Sequence, residues 1–111
     1  MRLEEFAERG RQAQAAVDQA AAKADTTIRL SKILAEQLGV SEADVVPDVL
    51  LVSDGSGRPN LGCDSLDIIE LSMAAEEEFE IALLDDDVSG LNGATFSGLV
   101  DFIHAKREAL P

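Results

Sequence analysis

Hydrophobic residues recur at steps of three and four along four stretches of the chain, which is the spacing of one face of an α-helix. The first stretch covers residues 1–24, and its seam is formed by Leu3, Phe6, Gly10, Ala13, Val17, Ala20 and Ala24. Because glycine and alanine bury little apolar area, this seam supports only weak packing. We expect a helical extension here, with docking on the rest of the fold and self-association as the alternatives.

Three cap-type residues, Asp25, Thr26 and Thr27, predict that a second helix begins after the extension. The apolar stripe of this second helix consists of Leu30, Ile33, Leu34 and Leu38. Gly39 is placed to end the helix, since glycine adopts the left-handed conformation of a helix C-terminus at little cost.

A long loop rich in turn residues separates the second helix from the third. Ser41 and Asp44 predict a short helical turn before it. The apolar run at 49–52 could form a buried strand, but no convincing partner strand is nearby. We interpret it as a loop segment anchored in the core.

The segment SLDIIELSMAAEEEFE, which begins at Ser65, predicts the third helix, and projection at about 100° per residue separates its two faces. The core face consists of Ile68, Ser72, Ala75 and Phe79, with Leu71 at its border. The opposite face consists of Leu66, Asp67, Glu70, Met73, Ala74 and Glu77. Two large apolar residues among three carboxylates indicate either a docking surface or a solvated face, and the pattern leaves both open.

The rest of the chain predicts a short acidic helix at 84–88, the flexible segment SGLNGA and a last helix capped by Thr95. The inward residues of the last helix are Phe96, Leu99, Val100 and Ile103. The predicted fold class is therefore all-α: a small four-helix bundle with a long first loop and an extra N-terminal helix. The predicted division is an extension at 1–25 and a domain at 26–111.

Charge and cysteine content narrow the function classes. Acidic residues outnumber basic ones 22 to 9, for a net charge of −13, which argues against nucleic acid or an anionic membrane as partner and favours basic protein surfaces. The single cysteine, Cys63, excludes an internal disulfide and is typical of an intracellular chain. Residues 1–24 lack the apolar run of a signal peptide, and no segment predicts a membrane span. We therefore expect a cytoplasmic monomer.

Ser65 lies where the third helix starts, and a serine there is most often the N-cap. Asp64 could cap the helix instead, which would leave the Ser65 hydroxyl exposed. A phosphate ester on that hydroxyl would lie near unpaired backbone N–H groups at the positive end of the helix dipole. The position suits a phosphodiester, but physical chemistry alone does not select that role.

The segment LGCDSLDIIELSMAAEEEFE resembles the acyl carrier protein family, whose signature is a Leu-Gly-x-Asp-Ser-Leu run followed by an acidic helix. The resemblance covers residues 26–110 and implies the four-helix fold of that family. It implies that Ser65 receives 4'-phosphopantetheine from coenzyme A through a separate Mg-dependent phosphopantetheinyl transferase. The thiol of this arm would hold acyl groups as thioesters for enzymes of fatty-acid, lipid or polyketide-type biosynthesis, while the carrier catalyses nothing itself.

The resemblance also implies a surface for partner enzymes with basic faces, namely the transferase and acyl-transfer or condensing enzymes. The residues of that surface are Asp64, Leu66, Asp67, Glu70, Met73, Glu76 and Glu77. Departures from the family pattern favour a specialised carrier: the insertion DGSGRP, Asn60 where an acid is usual, and Leu84 in place of a frequent proline. Ser72 and Ala75 are smaller than is usual, and we expect them to leave space for an unusual acyl chain or for the N-terminal helix.

Other function classes fit less well. An EF-hand beginning at Asp54 would place Arg58 at a ligand position, which excludes calcium binding there. A serine hydrolase would need a base near Ser65, whereas the only histidine, His104, is predicted to lie at the boundary of the last helix. Cys63 is predicted to be unreactive, because acidic neighbours raise a thiol pKa. The alternative that stays open is a carrier-like interaction subunit or a peptidyl carrier domain that binds a protein partner.

Overall fold

The structure is a computed structural model that describes the backbone of residues 3–109 and the side chains of residues 20–109. Its helices are α1 (Leu3–Leu38), α2 (Ser65–Phe79), α3 (Asp85–Gly90) and α4 (Phe96–Glu108). Short 3₁₀ turns lie at Glu42–Asp44 and Leu91–Gly93. Within the described residues there is no strand, so the predicted all-α four-helix fold is confirmed.

Helix α1 runs without a break through the predicted cap, so the expected start of a second helix after Asp25 is wrong. The hydroxyl of Thr26 donates to the Ala22 carbonyl (3.0 Å) and that of Thr27 to the Lys23 carbonyl (2.9 Å). Both side chains thus bond back to the preceding turn, as threonines inside helices do, and cap nothing. The extra helix and the first helix of the bundle are one helix.

The packing of the N-terminal seam falls mostly outside the described side chains, which begin at residue 20. Ala20 and Ala24, at its C-terminal end, are both exposed. The division of the chain into an extension at 1–25 and a domain at 26–111 stays a prediction.

The C-terminal half of α1 follows the prediction closely. Leu30 and Leu34 are fully buried, and Gly39 ends the helix with a φ of 68°. The amide of Val40 donates to the Ala35 carbonyl (3.2 Å), which is the bond expected of a glycine-terminated helix.

The core is aliphatic and is formed where α1, α2 and α4 meet. Its fully buried large side chains are Leu30, Leu34, Leu51, Ile68, Leu71, Leu99 and Ile103. Burial of each such side chain contributes about 1.5–3 kcal/mol, so these residues supply most of the folding drive. The predicted inward faces of α2 and α4 are confirmed.

The apolar run at 49–52 is a loop anchored in the core, as predicted. Leu50 exchanges backbone hydrogen bonds with the segment before α2: its N–H donates to the Pro59 carbonyl (3.1 Å), and its carbonyl accepts from Leu61 (2.8 Å). Its neighbour Leu51 donates to the Ala94 carbonyl (3.1 Å) and accepts from Cys63 (3.0 Å). These bonds fix the start of α2 against the loop before α4.

The expected flexible segment SGLNGA is instead helical over most of its length. Ser89 and Gly90 complete α3, and Leu91–Gly93 forms a 3₁₀ turn. Its glycines predicted a loop, but Leu91 is buried in the core and holds the turn in place. The cap at Thr95 is confirmed, because its hydroxyl accepts from the Gly98 N–H (3.1 Å).

An arginine cluster joins α1, α2 and α4 at the end of the bundle that contains Phe79. The guanidinium carbons of Arg29 and Arg107 lie 4.5 and 5.0 Å from the Phe79 ring centroid. Arg29 donates to the Glu78 carboxylate (2.8 Å) and to the Glu78 carbonyl (2.6 Å). A cation over an aromatic face contributes about 0.5–1 kcal/mol at an exposed site, and more where water is excluded.

Asp25 and Thr26 complete the arginine cluster from α1. Asp25 Oδ2 accepts from Nη1 of Arg29 (3.0 Å) and of Arg107 (3.3 Å). The hydrogen bond from Arg29 is the largest cause that holds the pKa of Asp25 below its ordinary value. Arg107 Nη1 also donates to the hydroxyl of Thr26 (2.6 Å), a residue with no exposed surface.

Candidate functional site

The start of α2 is capped by a pair of aspartates. The N–H of Asp67 donates to Asp64 Oδ1 (2.8 Å), and the N–H of Asp64 donates to Asp67 Oδ2 (3.1 Å). This reciprocal capping box satisfies two backbone donors that the first turn would leave unpaired. It also places carboxylates at the positive end of the helix dipole.

Because Asp64 is the cap, the hydroxyl of Ser65 is not used for capping. Ser65 is the first residue of α2, and its side chain is exposed. Unpaired N–H groups of the first turn lie next to it, and such groups bind phosphate oxygens. The surroundings of Ser65 therefore fit a covalently attached phosphate ester.

The segment before Ser65 is held in a defined conformation. Gly62 has a φ of 73°, a left-handed value that favours glycine, and its N–H donates to Asn60 Oδ1 (2.9 Å). Asn60, the departure from the usual acid, thus stabilises the turn that leads into α2. The Cys63 N–H donates to the Leu51 carbonyl (3.0 Å), which ties the turn to the core.

Cys63 is buried, and its thiol is held in the neutral form. Burial is the main cause, and the charges of Asp67 and Asp64 add to it, so that the pKa rises to about 11. The prediction from sequence had the right direction but named only the acidic neighbours, which are the smaller cause.

The predicted partner-binding residues fall into two groups. Four of them form an exposed ridge on α2: Leu66, Glu70, Met73 and Glu77. The exposed fractions of Leu66 and Met73 are 61% and 62%, which is high for large apolar side chains. The other three also have structural roles, since Asp64 and Asp67 form the capping box and Glu76 accepts from the Leu83 N–H (3.2 Å).

Ile69 is an exposed apolar residue that the projection did not single out. It is 48% exposed and lies on the flank of α2 that faces α3. The sequence places Ile69 about 100° around the helix from the buried Ile68. Its exposure also depends on how far α3 lies from α2, which the sequence does not give.

A groove between α2 and α3 begins at Ser65. Its first part has a volume of about 200 Å³ and is lined by Ser65, Ile68, Ile69, Val88, Ser89 and Asn92. Its second part, of about 420 Å³, shares Ile69, Val88 and Ser89 and adds Ser72, Met73, Glu76, Leu83 and Asp85. The shared residues make the two parts one continuous groove.

The two small inward residues of α2 have different surroundings. Ser72 is 3% exposed and lines the groove, and its hydroxyl donates to the Ile68 carbonyl (2.8 Å). Ala75 is 1% exposed, belongs to the closed core and lines neither part of the groove. The predicted space therefore adjoins Ser72 alone.

His104 lies at the boundary of α4, as predicted. Its side chain is 15% exposed, and its Nε2 lies 3.1 Å from Glu108 Oε1, one turn further along the helix.

The fold is thus a small helical bundle with an exposed serine at the N-terminus of α2. The chain matches the family model described as a phosphopantetheine attachment site over residues 29–103. It therefore belongs to the phosphopantetheine-attachment family, whose domains carry covalently attached 4'-phosphopantetheine and are in general non-catalytic. Over the described residues, no helix has both the length and the hydropathy to cross a membrane.

Proposed function

We propose that this chain is an acyl carrier protein in which Ser65 bears the phosphopantetheine arm. The arm would present acyl intermediates to enzymes of fatty-acid, lipid or polyketide-type biosynthesis. The observation that carries this proposal is the exposed Ser65 hydroxyl, which Asp64 releases from capping within the segment that matches the family.

The residues around Ser65 have distinct tasks in this proposal. Asp64 keeps the hydroxyl available as the acceptor of the phosphoryl group, and N–H groups of the first turn stabilise the resulting phosphodiester. The anchored loop at Leu51 and Cys63 holds the attachment point in place. The bound arm supplies a terminal thiol, which carries the acyl group as a thioester.

Mass spectrometry after incubation with coenzyme A and a broad-specificity phosphopantetheinyl transferase tests the attachment site. The wild-type chain should gain the mass of one arm, and Ser65→Ala should gain none. Ser97→Ala is the matched control, since Ser97 is also exposed in the first turn of a capped helix, and it should be modified normally. Modification of Ser65→Ala would contradict the assignment.

We propose the α2 ridge, formed by Leu66, Glu70, Met73 and Glu77, as the surface for partner enzymes. Its apolar residues supply contact area, and its carboxylates attract a basic partner and orient it. Asp64, Asp67 and Glu76 border the ridge and add to its negative charge. The proposal also includes a cytoplasmic, monomeric state with no nucleic-acid partner and no stable insertion into a membrane.

The cargo class decides between an acyl carrier and the alternative of a peptidyl carrier. The intact mass of the loaded protein, isolated from its native source, distinguishes the two, since an acyl chain and an amino acid add different masses. We expect an acyl group, because the strongly acidic α2 is the feature that resembles acyl carriers.

A further inference from the structure

The helix α3 borders two separate depressions, one on each of its sides. Its residues that line the groove toward α2 are Asp85, Val88 and Ser89. Its residues that line a second depression, toward α4, are Asp86, Asp87 and Gly90. Members of each set are three or four positions apart, which places them on one face of a helix. We call the second depression the α3–α4 slot, and it shares no residue with the α2 ridge.

The α3–α4 slot is lined in part by apolar side chains and has a volume of about 320 Å³. Its apolar lining residues are the buried Leu91 and the half-buried Ala94 and Phe102. Gly90 and Gly98 also line it and contribute no side chain to fill it. Pockets that hold small molecules measure about 300–1,000 Å³, so the slot is large enough for one long side chain and too small for a helix.

The two carboxylates of the slot differ in their partners. Asp87 Oδ2 accepts from the Leu84 N–H (2.9 Å) and pairs with the ammonium group of Lys106 (3.1 Å). That ammonium group also lies 5.6 Å from the centroid of the Phe102 ring. Asp86 is exposed and belongs to none of the ion pairs among the described side chains. The slot therefore has one neutralised carboxylate and one that can still pair with a cation.

The Phe79 end of α2 shows which side chain this chain binds with an aromatic ring and a carboxylate. The guanidinium groups of Arg29 and Arg107 lie over the Phe79 ring, and Asp25 accepts a hydrogen bond from each. A guanidinium group is planar and less strongly hydrated than an ammonium group. It can therefore lie against an apolar surface while its N–H groups bond to a carboxylate.

We propose that the α3–α4 slot is a second docking surface, which accepts one arginine side chain of a basic partner protein. The aliphatic part of that arginine packs on Leu91 and Ala94. Its guanidinium group lies against Phe102 and donates to Asp86. The net charge of −13 favours a basic partner, and Arg29 and Arg107 are already engaged at the Phe79 end.

The slot does not depend on attachment at Ser65, so failure of either proposal leaves the other intact. A partner that contacts both the α2 ridge and the slot would approach α3 from two sides. Such a partner is distinguished from other basic proteins by where its arginine lies, because the slot admits a side chain only at this position.

The proposal is tested by NMR titration of the full-length ¹⁵N-labelled protein with short peptides whose two ends are blocked. The peptides have glycine and alanine on either side of a central arginine, lysine or citrulline, and citrulline has the shape of arginine without its charge. The arginine peptide should shift the amide signals of Gly90, Leu91, Ala94 and Gly98. The lysine peptide should bind at least about threefold more weakly, and the citrulline peptide should leave these signals unchanged.

Gly98→Leu fills the slot with little disturbance of the fold. A Cβ atom at Gly98 lies 3.5 Å from Thr95 Oγ1 and 3.8 Å from the Ala94 Cβ, which are ordinary contacts. Leucine also has a higher helix propensity than glycine, so this variant should melt no lower than wild type. It should bind the arginine peptide at least about tenfold more weakly, because the space for the side chain is lost.

Asp86→Asn removes the carboxylate that has no ion pair and should weaken binding of the arginine peptide about fivefold. Asp85→Asn is the matched control. It makes the same change of charge one residue away, but Asp85 lines the groove toward α2 and not the slot. The control should bind the peptide within about twofold of wild type.

Each contrary outcome overturns the proposal. Equal affinities for the arginine and lysine peptides, or equal losses in Asp85→Asn and Asp86→Asn, would show attraction by net charge alone. Unchanged binding by Gly98→Leu would show that the side chain does not enter the slot. Tighter binding of free arginine than of the blocked peptide would indicate a small-molecule site instead of a docking surface. Absence of shifts at about 10 mM arginine peptide would show that the slot binds no arginine.

Discussion

The two ends of α2 differ in whether their acidic side chains are paired with arginines. At the Phe79 end, Arg29 and Arg107 neutralise acids and enclose an aromatic ring between α1, α2 and α4. At the Ser65 end, the carboxylates of the cap and the ridge face solvent. None of the ion pairs formed among the described side chains includes Asp64, Asp67, Glu70 or Glu77.

This difference suggests that the Phe79 end of α2 serves folding stability and that the Ser65 end serves the binding of partners. A chain with a net charge of −13 repels itself, and a few cations placed where three helices meet reduce that repulsion. The acids left without ion pairs keep a negative field near Ser65, the proposed attachment site, where a basic partner would approach. Substitutions at the two ends should therefore differ in whether they change folding or binding.

The largest expected difference compares two apolar residues at opposite ends of α2. Phe79→Ala should lower the free energy of unfolding by about 3–5 kcal/mol, because Phe79 is buried beneath two guanidinium groups. Leu66→Ala should change it by less than about 0.5 kcal/mol, since Leu66 is exposed. Urea denaturation with a shared m-value measures both, and equal losses would contradict the comparison.

Arg107→Met should cost about 1–3 kcal/mol of unfolding free energy, because the hydroxyl of buried Thr26 loses its donor while the aliphatic stem is kept. Arg58→Met is the control, since Arg58 is exposed in the long loop, and it should be neutral within about 0.5 kcal/mol. Thermal and urea unfolding both report the difference. A neutral Arg107→Met would show that the arginine cluster does not hold α1 to α4.

Two truncations test where the folded domain begins. Removal of residues 1–19 should leave stability nearly unchanged, whereas removal of 1–25 should cost about 1 kcal/mol or more. The longer deletion removes the Lys23–Asp101 ion pair (2.7 Å) and Asp25, the shared partner of the two arginines. Equal stability of both truncated chains would support the predicted boundary at residue 25.

Charge reversal on the ridge should change binding and leave folding alone. Glu70→Lys with Glu77→Lys should raise the KM of phosphopantetheinyl transferase by up to about tenfold, an effect that high salt reduces. The unfolding free energy should change by less than about 0.5 kcal/mol. Asp44→Lys with Asp48→Lys makes the same charge change at two exposed positions between α1 and α2, outside the ridge, and should leave KM unchanged. A similar rise in both variants would mean that net charge alone matters.

The smallest expected effect is the loss of folding stability at acidic pH that Asp25 causes at the Phe79 end of α2. Arginine contacts lower the pKa of Asp25 in the folded state, so its contribution is present above the unfolded pKa and is lost as pH falls through the folded pKa. Asp25→Asn should therefore lose stability at neutral pH, and its difference from wild type should shrink as pH falls below the unfolded pKa of Asp25. Melting temperature against pH measures this difference. Asp48→Asn is the control variant, since Asp48 is an exposed carboxylate outside the ion pairs of the described side chains.

Predictions from sequence succeeded where a local pattern decides the structure. The faces of α2, the cap at Thr95 and the glycine end of α1 depend on residues within one or two turns. The sequence left the cap of α2 open between Ser65 and Asp64, and the structure assigns it to Asp64. The anchored loop at 49–52 followed from strong hydrophobicity without a partner strand.

Predictions failed where distant residues decide the structure. Thr26 is a residue type that is common at helix N-caps, so the sequence predicted a cap there. In the structure it lies inside a continuous helix, and its hydroxyl accepts from Arg107, 81 positions away. The turn at Leu91 depends on burial beneath other helices. Exposure of Ile69, and with it the groove, depends on how α3 packs against α2, which no local pattern contains.

The buried thiol of Cys63 has a chemical consequence for a thioester carrier. If the arm is attached at Ser65 as proposed, a thiolate two residues away could capture the acyl group or form a disulfide with the arm, since the thiolate is the nucleophile in both reactions. With a pKa of about 11, only about one Cys63 thiol in 10⁴ is ionised at pH 7, and burial shields even that fraction. We therefore expect neither self-acylation of Cys63 nor a disulfide between Cys63 and an arm attached at Ser65.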